Sequence, residues 1–251
     1  MRKFLLSTLA AGLMVAAFPA LAEEAALPHQ PWPWLGVFGQ YDKAQLKRGL
    51  QVFREVCSNC HSLKLVAYRN IGYFGFTDDE IKDIAAEKQV QDGPNDQGDM
   101  FMRPARPSDR FVPPFPNDQA ARVANNGALP PDLSLMTKAR PGGPDYVFAL
   151  LTGFTDPPKN FTLPDGMYYN EAFPGHQISM PPPVADDAVT YADGTKATKE
   201  QIVKDVTAFL NWSAEPELDV RHSLGLKVML FLFVLTALLY ALKRKIWADV
   251  H

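Results

Sequence analysis

All the cysteine in this chain of 251 residues falls in one short run, Cys57-Ser58-Asn59-Cys60-His61. C-x-x-C-H is the attachment motif of a c-type haem. Two thiols three residues apart on one turn can each form a thioether to a haem vinyl group, and the next residue then offers an imidazole to the iron. Cys57 and Cys60 are therefore expected to bind haem c covalently, with His61 as the proximal iron ligand. A thioredoxin-like redox pair would want a βαβ setting that the sequence lacks, and a zinc site would want two further ligands at suitable spacing. With both thiols committed, no disulfide is left to brace the fold, so packing and the cofactor must hold it together.

Two apolar segments set the topology. Arg2 and Lys3, an apolar run from Phe4 to Phe18 and the small residues of Ala20-Leu21-Ala22 read as a cleaved export signal. The mature chain is expected to start near Glu23, in a compartment where disulfides would be permitted. The second segment, Leu224 to Leu242, is interrupted only by Lys227 and followed at once by Lys243, Arg244 and Lys245. At ~1.5 Å per residue it reaches ~28 Å, enough to cross a hydrocarbon core of ~30 Å once. Basic residues after a span stay cytoplasmic, and Tyr240 and Trp247 suit a membrane interface. The expected organisation is a signal peptide at 1–22, an exported haem domain at 23–220, a transmembrane anchor at 221–245 in contact with membrane lipid, and a cytoplasmic tail at 246–251. A bacterial inner membrane with the haem domain on the periplasmic side fits both signals.

Charge excludes one class of function. Residues 23–242 hold twenty Lys and Arg against 27 Asp and Glu, a net of −7, so no nucleic-acid partner is expected. Asp78, Asp79, Glu80, Asp92, Asp96 and Asp99 lie in stretches that read as solvent-exposed and could steer a basic partner.

The exported part reads as mainly α and loop-rich, because its prolines and glycines break it into short helices. One helix is expected from Asp42, its N-cap, to about Val56, leading into the cysteines. Another starts at Thr77, where Thr77 and Glu80 form a capping-box pattern. Residues 91–117 read as a long ordered loop. Helices are expected at Asp118–Asn126, stopped by Gly127, at Pro144–Thr152, stopped by Gly153, and at Thr198–Trp212, where Thr198 and Gln201 suggest a second capping box. No strand pattern competes.

The sixth iron ligand decides the chemistry, since methionine opposite histidine raises the potential and closes the iron, whereas a vacant position invites small molecules. Candidates are Met100, Met102, Met136, Met167, Met180, His29, His176 and His222. Met180 stands out because Pro181-Pro182-Pro183 follows it and could hold its thioether rigidly. On the residues alone its rivals stay open.

Several runs resemble the cytochrome c1 family: RGLQVFREVCSNCHSL at 48–63, MRPARPSDRFVPPFPNDQAARVANNGALPPDLSL at 102–135, GGPDYVFALLTG at 142–153, FPGHQISMPPP at 173–183 and EPELDVRHSLGLK at 215–227. They occur in the family's order and, with the C-terminal span, cover nearly the whole mature chain. The resemblance implies a class I c-type cytochrome-like haem domain with large insertions and one C-terminal transmembrane helix. It implies Cys57 and Cys60 as thioether residues and His61 and Met180 as the axial pair. It also makes residues 125–131, with Asn125 and Pro130, a haem-cradling loop, and sets Arg140 and Tyr146 beside the haem propionates. Pro141 departs from what the family often has there. The implied role is the electron-transfer subunit of the quinol:cytochrome c oxidoreductase, the proton-translocating bc1 complex, and not an enzyme on its own. The implied partners are cytochrome b, the Rieske iron-sulfur protein as donor and a cytochrome c as acceptor, in a dimeric complex. A free-standing anchored cytochrome c would share the haem chemistry but need no cytochrome b. A haem enzyme or gas sensor would need an open distal position.

Overall fold

The computed structural model describes residues 27–249, so the expected signal peptide lies outside the described residues. Along the chain come α1 (Lys43–Glu55), α2 (Asp78–Ala86), a hairpin of β1 (Gln89–Asp92) and β2 (Phe101–Pro104), and α3 (Asp118–Ala124). Then follow α4 (Met136–Ala139), α5 (Gly143–Thr152), a hairpin of β3 (Tyr168–Tyr169) and β4 (Gln177–Ile178), α6 (Lys199–Ala214) and α7 (Leu218–Ile246). The mainly helical, loop-rich reading is borne out.

Packing of α1 against α6 makes the centre. The Asp42 carboxylate accepts from the N–H groups of Ala44 (2.9 Å) and Gln45 (3.3 Å), which starts α1 and turns Leu46, Leu50, Val52 and Phe53 inward. Ile202, Val206 and Phe209 meet them from α6, with the rings of Phe53 and Phe209 5.5 Å apart. The helices touch backbone to backbone at Gly49, where a Cβ would lie 2.1 Å from the carbonyl oxygen of Asp205. Beside this crossing, the Arg48 guanidinium grips the fully buried Asp205 carboxylate by two bonds of 2.9 and 3.2 Å and reaches Asp193 at 3.0 Å. A buried carboxylate survives only when paired in this way. The pair fixes the line of α1 and hence where Cys57 emerges.

Helix starts follow the sequence closely. Thr77 and Glu80 form the reciprocal capping box, with the Glu80 carboxylate accepting from the Thr77 N–H at 2.7 Å. At α6 only half of the expected box forms: Thr198 accepts from the Gln201 N–H at 3.2 Å, but the Gln201 side chain turns to Asp205 instead. α3 ends at Ala124, short of Asn126. The Asn125 side chain bonds back to the Ala121 carbonyl at 2.7 Å, and Gly127, at φ +86°, donates to Arg122. α5 begins at Gly143 and stops at Gly153.

The stretch 91–117 differs from the loop expected. Residues 89–92 pair antiparallel with 101–104 (Gln89 opposite Pro104, Asp92 opposite Phe101). These strands are short and none of their residues is fully buried; β1 alternates exposed with half-buried positions, whereas β2 does not. What holds them is Arg103, which pairs with Asp92 and also reaches Asp109 at 2.6 Å. Asp92 is accordingly half-buried and ion-paired, whereas Asp78, Asp79, Glu80, Asp96 and Asp99 are exposed, Asp79 in an ion pair with Lys82 at 2.8 Å.

α7 starts at Leu218, earlier than the apolar run, so the expected boundary between 220 and 221 falls inside a continuous helix of 29 residues. Its first turns belong to the domain. Leu218 is buried, the Asp219 carboxylate accepts from the Tyr41 N–H (3.1 Å) and the Tyr73 hydroxyl, and His222 bonds the Gly39 carbonyl (2.8 Å). From Leu224 to Trp247 the side chains stand exposed, as an apolar helix needs to be in order to face lipid. Lys243, Arg244 and Lys245 occupy its last turn.

A candidate haem-attachment site

α1 runs out at Glu55, and the chain tightens into one turn at Cys57–Asn59. There the Cys57 carbonyl accepts from the N–H groups of both Cys60 (3.2 Å) and His61 (2.9 Å), and Ser58 and Asn59 bond back to carbonyls of α1. The two thiols and the imidazole are thus carried on a single turn. Cys57 is half-buried and Cys60 exposed. Burial, and then the nearby Cys60 thiol, push the Cys57 thiol up to about 12. A redox-active pair needs the opposite shift, toward thiolate. No cluster of three or more His, Cys, Asp or Glu suited to a metal ion occurs among the described residues, which leaves a zinc site without its further ligands.

His61 is prepared as a ligand. Its Nδ1 bonds the Pro131 carbonyl oxygen at 2.8 Å. The carbonyl can only accept, so Nδ1 carries the proton and Nε2 is left with the lone pair that iron requires. Burial holds the imidazole below its ordinary value, against the pull of Pro131 and Asp132. This donor set fits a c-type haem: two thiols on one turn and one imidazole with a free Nε2.

The Pro131 carbonyl is held in turn by Asp132, which the sequence reading did not single out. Its carboxylate accepts from the Ser62 hydroxyl (2.8 Å), the Lys64 N–H (2.8 Å) and the Ser134 N–H (2.9 Å). The Leu133 N–H donates to the Ser62 carbonyl (2.9 Å) and the Leu65 N–H to the Ser134 hydroxyl (3.0 Å), so residues 131–134 are zipped onto residues 61–65. Burial alone would raise the Asp132 carboxyl, but the donors from Ser134, Lys64 and Ser62 outweigh it and hold it below the ordinary carboxylate range.

Other expected residues divide into groups. Pro130 is half-buried next to the carbonyl that His61 uses. Asn125 serves its own helix end. Arg140 is exposed and close enough to act on Tyr146, whose phenol is pushed up by burial with Arg140 pulling the other way. Just ahead of Tyr146, Asp145 accepts from the Trp32 indole (2.7 Å) and the Gln30 N–H (3.1 Å) and pairs with His29 (2.9 Å). The N-terminal strap is thereby tied to α5.

Met180 arrives by a separate route. It is half-buried, just beyond the β3–β4 hairpin in which Tyr168 faces Ile178 and Tyr169 faces Gln177. Its rivals have other surroundings. Met167 receives the Ser179 hydroxyl at 3.2 Å, Met100 and Met102 lie exposed on the first hairpin, and Met136 packs against the core. His176 bonds the Asn170 carbonyl (3.2 Å) and stacks on Tyr169, while His222 belongs to the base of the anchor.

The cytochrome C1 family model matches residues 32–250. Cytochrome c1 of Rhodospirillum rubrum is 54% identical over 260 residues, covering 96% of each chain. The mitochondrial cytochrome c1 haem protein of Schizosaccharomyces pombe is 51% identical over 87% of this chain and 71% of its own length. A cytochrome b/c1 of Bradyrhizobium diazoefficiens is 48% identical over 89% of this chain but only 36% of that longer one. Likeness on this scale, running the length of both chains in the Rhodospirillum relative, means that this chain belongs to the cytochrome c1 family.

Proposed function

We propose that this chain, an electron-transfer haem subunit of the bc1 complex by family, takes single electrons from a Rieske iron-sulfur protein and passes them to a cytochrome c. The observation that carries the reading is the His61 imidazole, fixed through Nδ1 on the Pro131 carbonyl so that Nε2 is free. Cys57 and Cys60 would hold the haem c covalently, and the haem would supply one-electron redox chemistry. His61 and Met180 would supply the iron's two protein ligands. The soft thioether favours the ferrous state and denies the iron to small molecules. Pro130 and Asn125 belong to the loop that cradles the haem, and Arg140 with Tyr146 faces its propionates. No side chain here has to carry a proton or bind a substrate, so the chain is a redox subunit and the quinol chemistry belongs to its partners.

Topology supports the same reading. α7 crosses the inner membrane once, with Lys243, Arg244 and Lys245 cytoplasmic and the haem domain periplasmic. Because Asp219 and His222 bolt its first turns to the domain, the haem site is held at a set orientation above the bilayer. Cytochrome b is the expected membrane partner, since a relative carries both names in one chain. The whole complex is expected to be dimeric. Purification in mild detergent tests this: cytochrome b and a Rieske protein should travel with the chain, and quinol should reduce its haem. Recovery of the chain alone, with haem that quinol cannot reduce, would instead establish a free-standing anchored cytochrome.

A further inference from the structure

The β3–β4 hairpin that delivers Met180 has only two residues in each strand, Tyr168–Tyr169 and Gln177–Ile178. A pairing this short has little stability of its own. Much of its connection is exposed, including Glu171 and Pro174 to His176. Something outside the ladder must fix it, and the first residue after β3, Asn170, is placed to do so.

Asn170 is 0% exposed, which is unusual for an asparagine beside a surface turn. Its carboxamide is satisfied on both sides. Nδ2 donates to the Leu150 carbonyl of α5 at 2.8 Å, and Oδ1 accepts from the N–H groups of Ala172 (3.0 Å) and Phe173 (3.1 Å). Its backbone works as well: the N–H donates to the His176 carbonyl (3.1 Å), and the carbonyl meets the His176 Nδ1 (3.2 Å). Next to it, the Glu171 N–H donates to the Gly153 carbonyl at 2.9 Å. One side chain therefore shapes the turn and fastens it to the end of α5. Met180 follows Ile178 after a single intervening residue, so a shift of the hairpin becomes a shift of the sulfur.

We infer that Asn170 is a positioning residue for the distal ligand, its buried carboxamide fixing the β3–β4 hairpin on α5 so that the Met180 thioether stays on the iron. The inference rests on the reading of Met180 as that ligand. A deleted buried amide leaves the Leu150 carbonyl and two N–H groups without partners, and the hairpin can recover them only by moving toward water.

The test uses the haem-loaded, full-length protein in its complex and two variants. Asn170→Ala removes every side-chain bond. Asn170→Ser keeps a hydroxyl able to accept from the N–H groups of the turn but too short to reach Leu150. Three properties are read: the long-wavelength absorption band of sulfur-ligated ferric haem, carbon monoxide binding by ferrous haem, and haem retained on the denatured chain. The expected result is loss of much of the band and new carbon monoxide binding in both variants, with covalent haem unchanged; Asn170→Ser alone decides if Asn170→Ala does not accumulate. A purely structural asparagine would lower thermal stability and leave band and ligand binding at wild-type values, and that result overturns the inference. Met180→Leu is the reference. If it binds carbon monoxide while the Asn170 variants do not, the positioning role is wrong. If Met180→Leu keeps the band and excludes carbon monoxide, the ligand reading itself fails and the inference falls with it.

Discussion

Replacing Asp132 by asparagine should loosen the proximal side of the site by an amount that the hydrogen bonds allow one to work out. The aspartate takes the Lys64 N–H and the Ser62 hydroxyl on one oxygen and the Ser134 N–H on the other. An amide of the same shape has one acceptor and one donor end. Whichever way it is turned, either Lys64 or Ser134 presents its N–H to an NH2 group. An unsatisfied donor costs about 1–3 kcal/mol, and the remaining bonds fall from charge-assisted to neutral strength, each losing about 1 kcal/mol. Asp132 is only half-buried, so water offsets part of this and about 2 kcal/mol is the expected loss. For a chain of this size that is a fall in Tm of roughly 4–8 °C. The sign with pH follows from the depressed carboxyl. A carboxyl held below its unfolded value of ~3.9 stabilises fully above that value and loses its effect as pH falls through the folded one. The Tm gap between wild type and Asp132→Asn should therefore be full at neutral pH and close in acid. Thermal unfolding of the detergent-solubilised, haem-loaded protein, followed by circular dichroism at both ends of that range, measures it. Equal Tm values at neutral pH, or a gap that persists unchanged in acid, would refute the clamp.

Cys57→Ala or Cys60→Ala should weaken or abolish haem staining of the chain on a denaturing gel, and unchanged staining in both would remove the thioether assignment. Met180→Leu should lower the midpoint potential, whereas Met102→Leu and Met167→Leu should leave it in place, as redox titration can check. Asp205→Ala leaves the Arg48 charge facing a void in the α1–α6 crossing and should cost about 3–5 kcal/mol in denaturant unfolding; a loss below ~1 kcal/mol would show that the pair does not hold the helices. The bimolecular rate of electron transfer to a basic cytochrome c should fall steeply as salt rises, because Asp78, Asp79, Glu80, Asp96 and Asp99 are exposed and unscreened at low ionic strength. A flat rate would place that charge away from the docking face.

What could be read in the sequence was what neighbours along the chain decide. Cys57, Cys60 and His61 declare themselves because one turn brings their atoms together, and Asp42, Thr77 and Thr198 cap helices within three residues of themselves. The membrane helix is visible because its apolarity is continuous. The start of its helix at Leu218 is not, because nothing along the chain shows that Tyr41 and Tyr73 bind Asp219. The first hairpin was missed for a related reason: its strands are only four residues long and bury little, and an arginine between two aspartates holds them together. Asp132 and Asn170 were missed because their work is done at a distance, on residues 62–64 and on Leu150. A buried, fully bonded asparagine next to a turn looks in sequence like any turn asparagine.

Electrons are proposed to pass through the haem on Cys57 and Cys60 on their way from quinol to a cytochrome c. Rapid mixing of the purified complex with quinol, following this chain's haem and added ferric cytochrome c at separate wavelengths, tests it most directly. The chain's haem should reduce first, cytochrome c reduction should follow from it, and Met180→Leu should slow the second step or shift its equilibrium. Reduction of cytochrome c at the full rate while this haem keeps its redox state would contradict it.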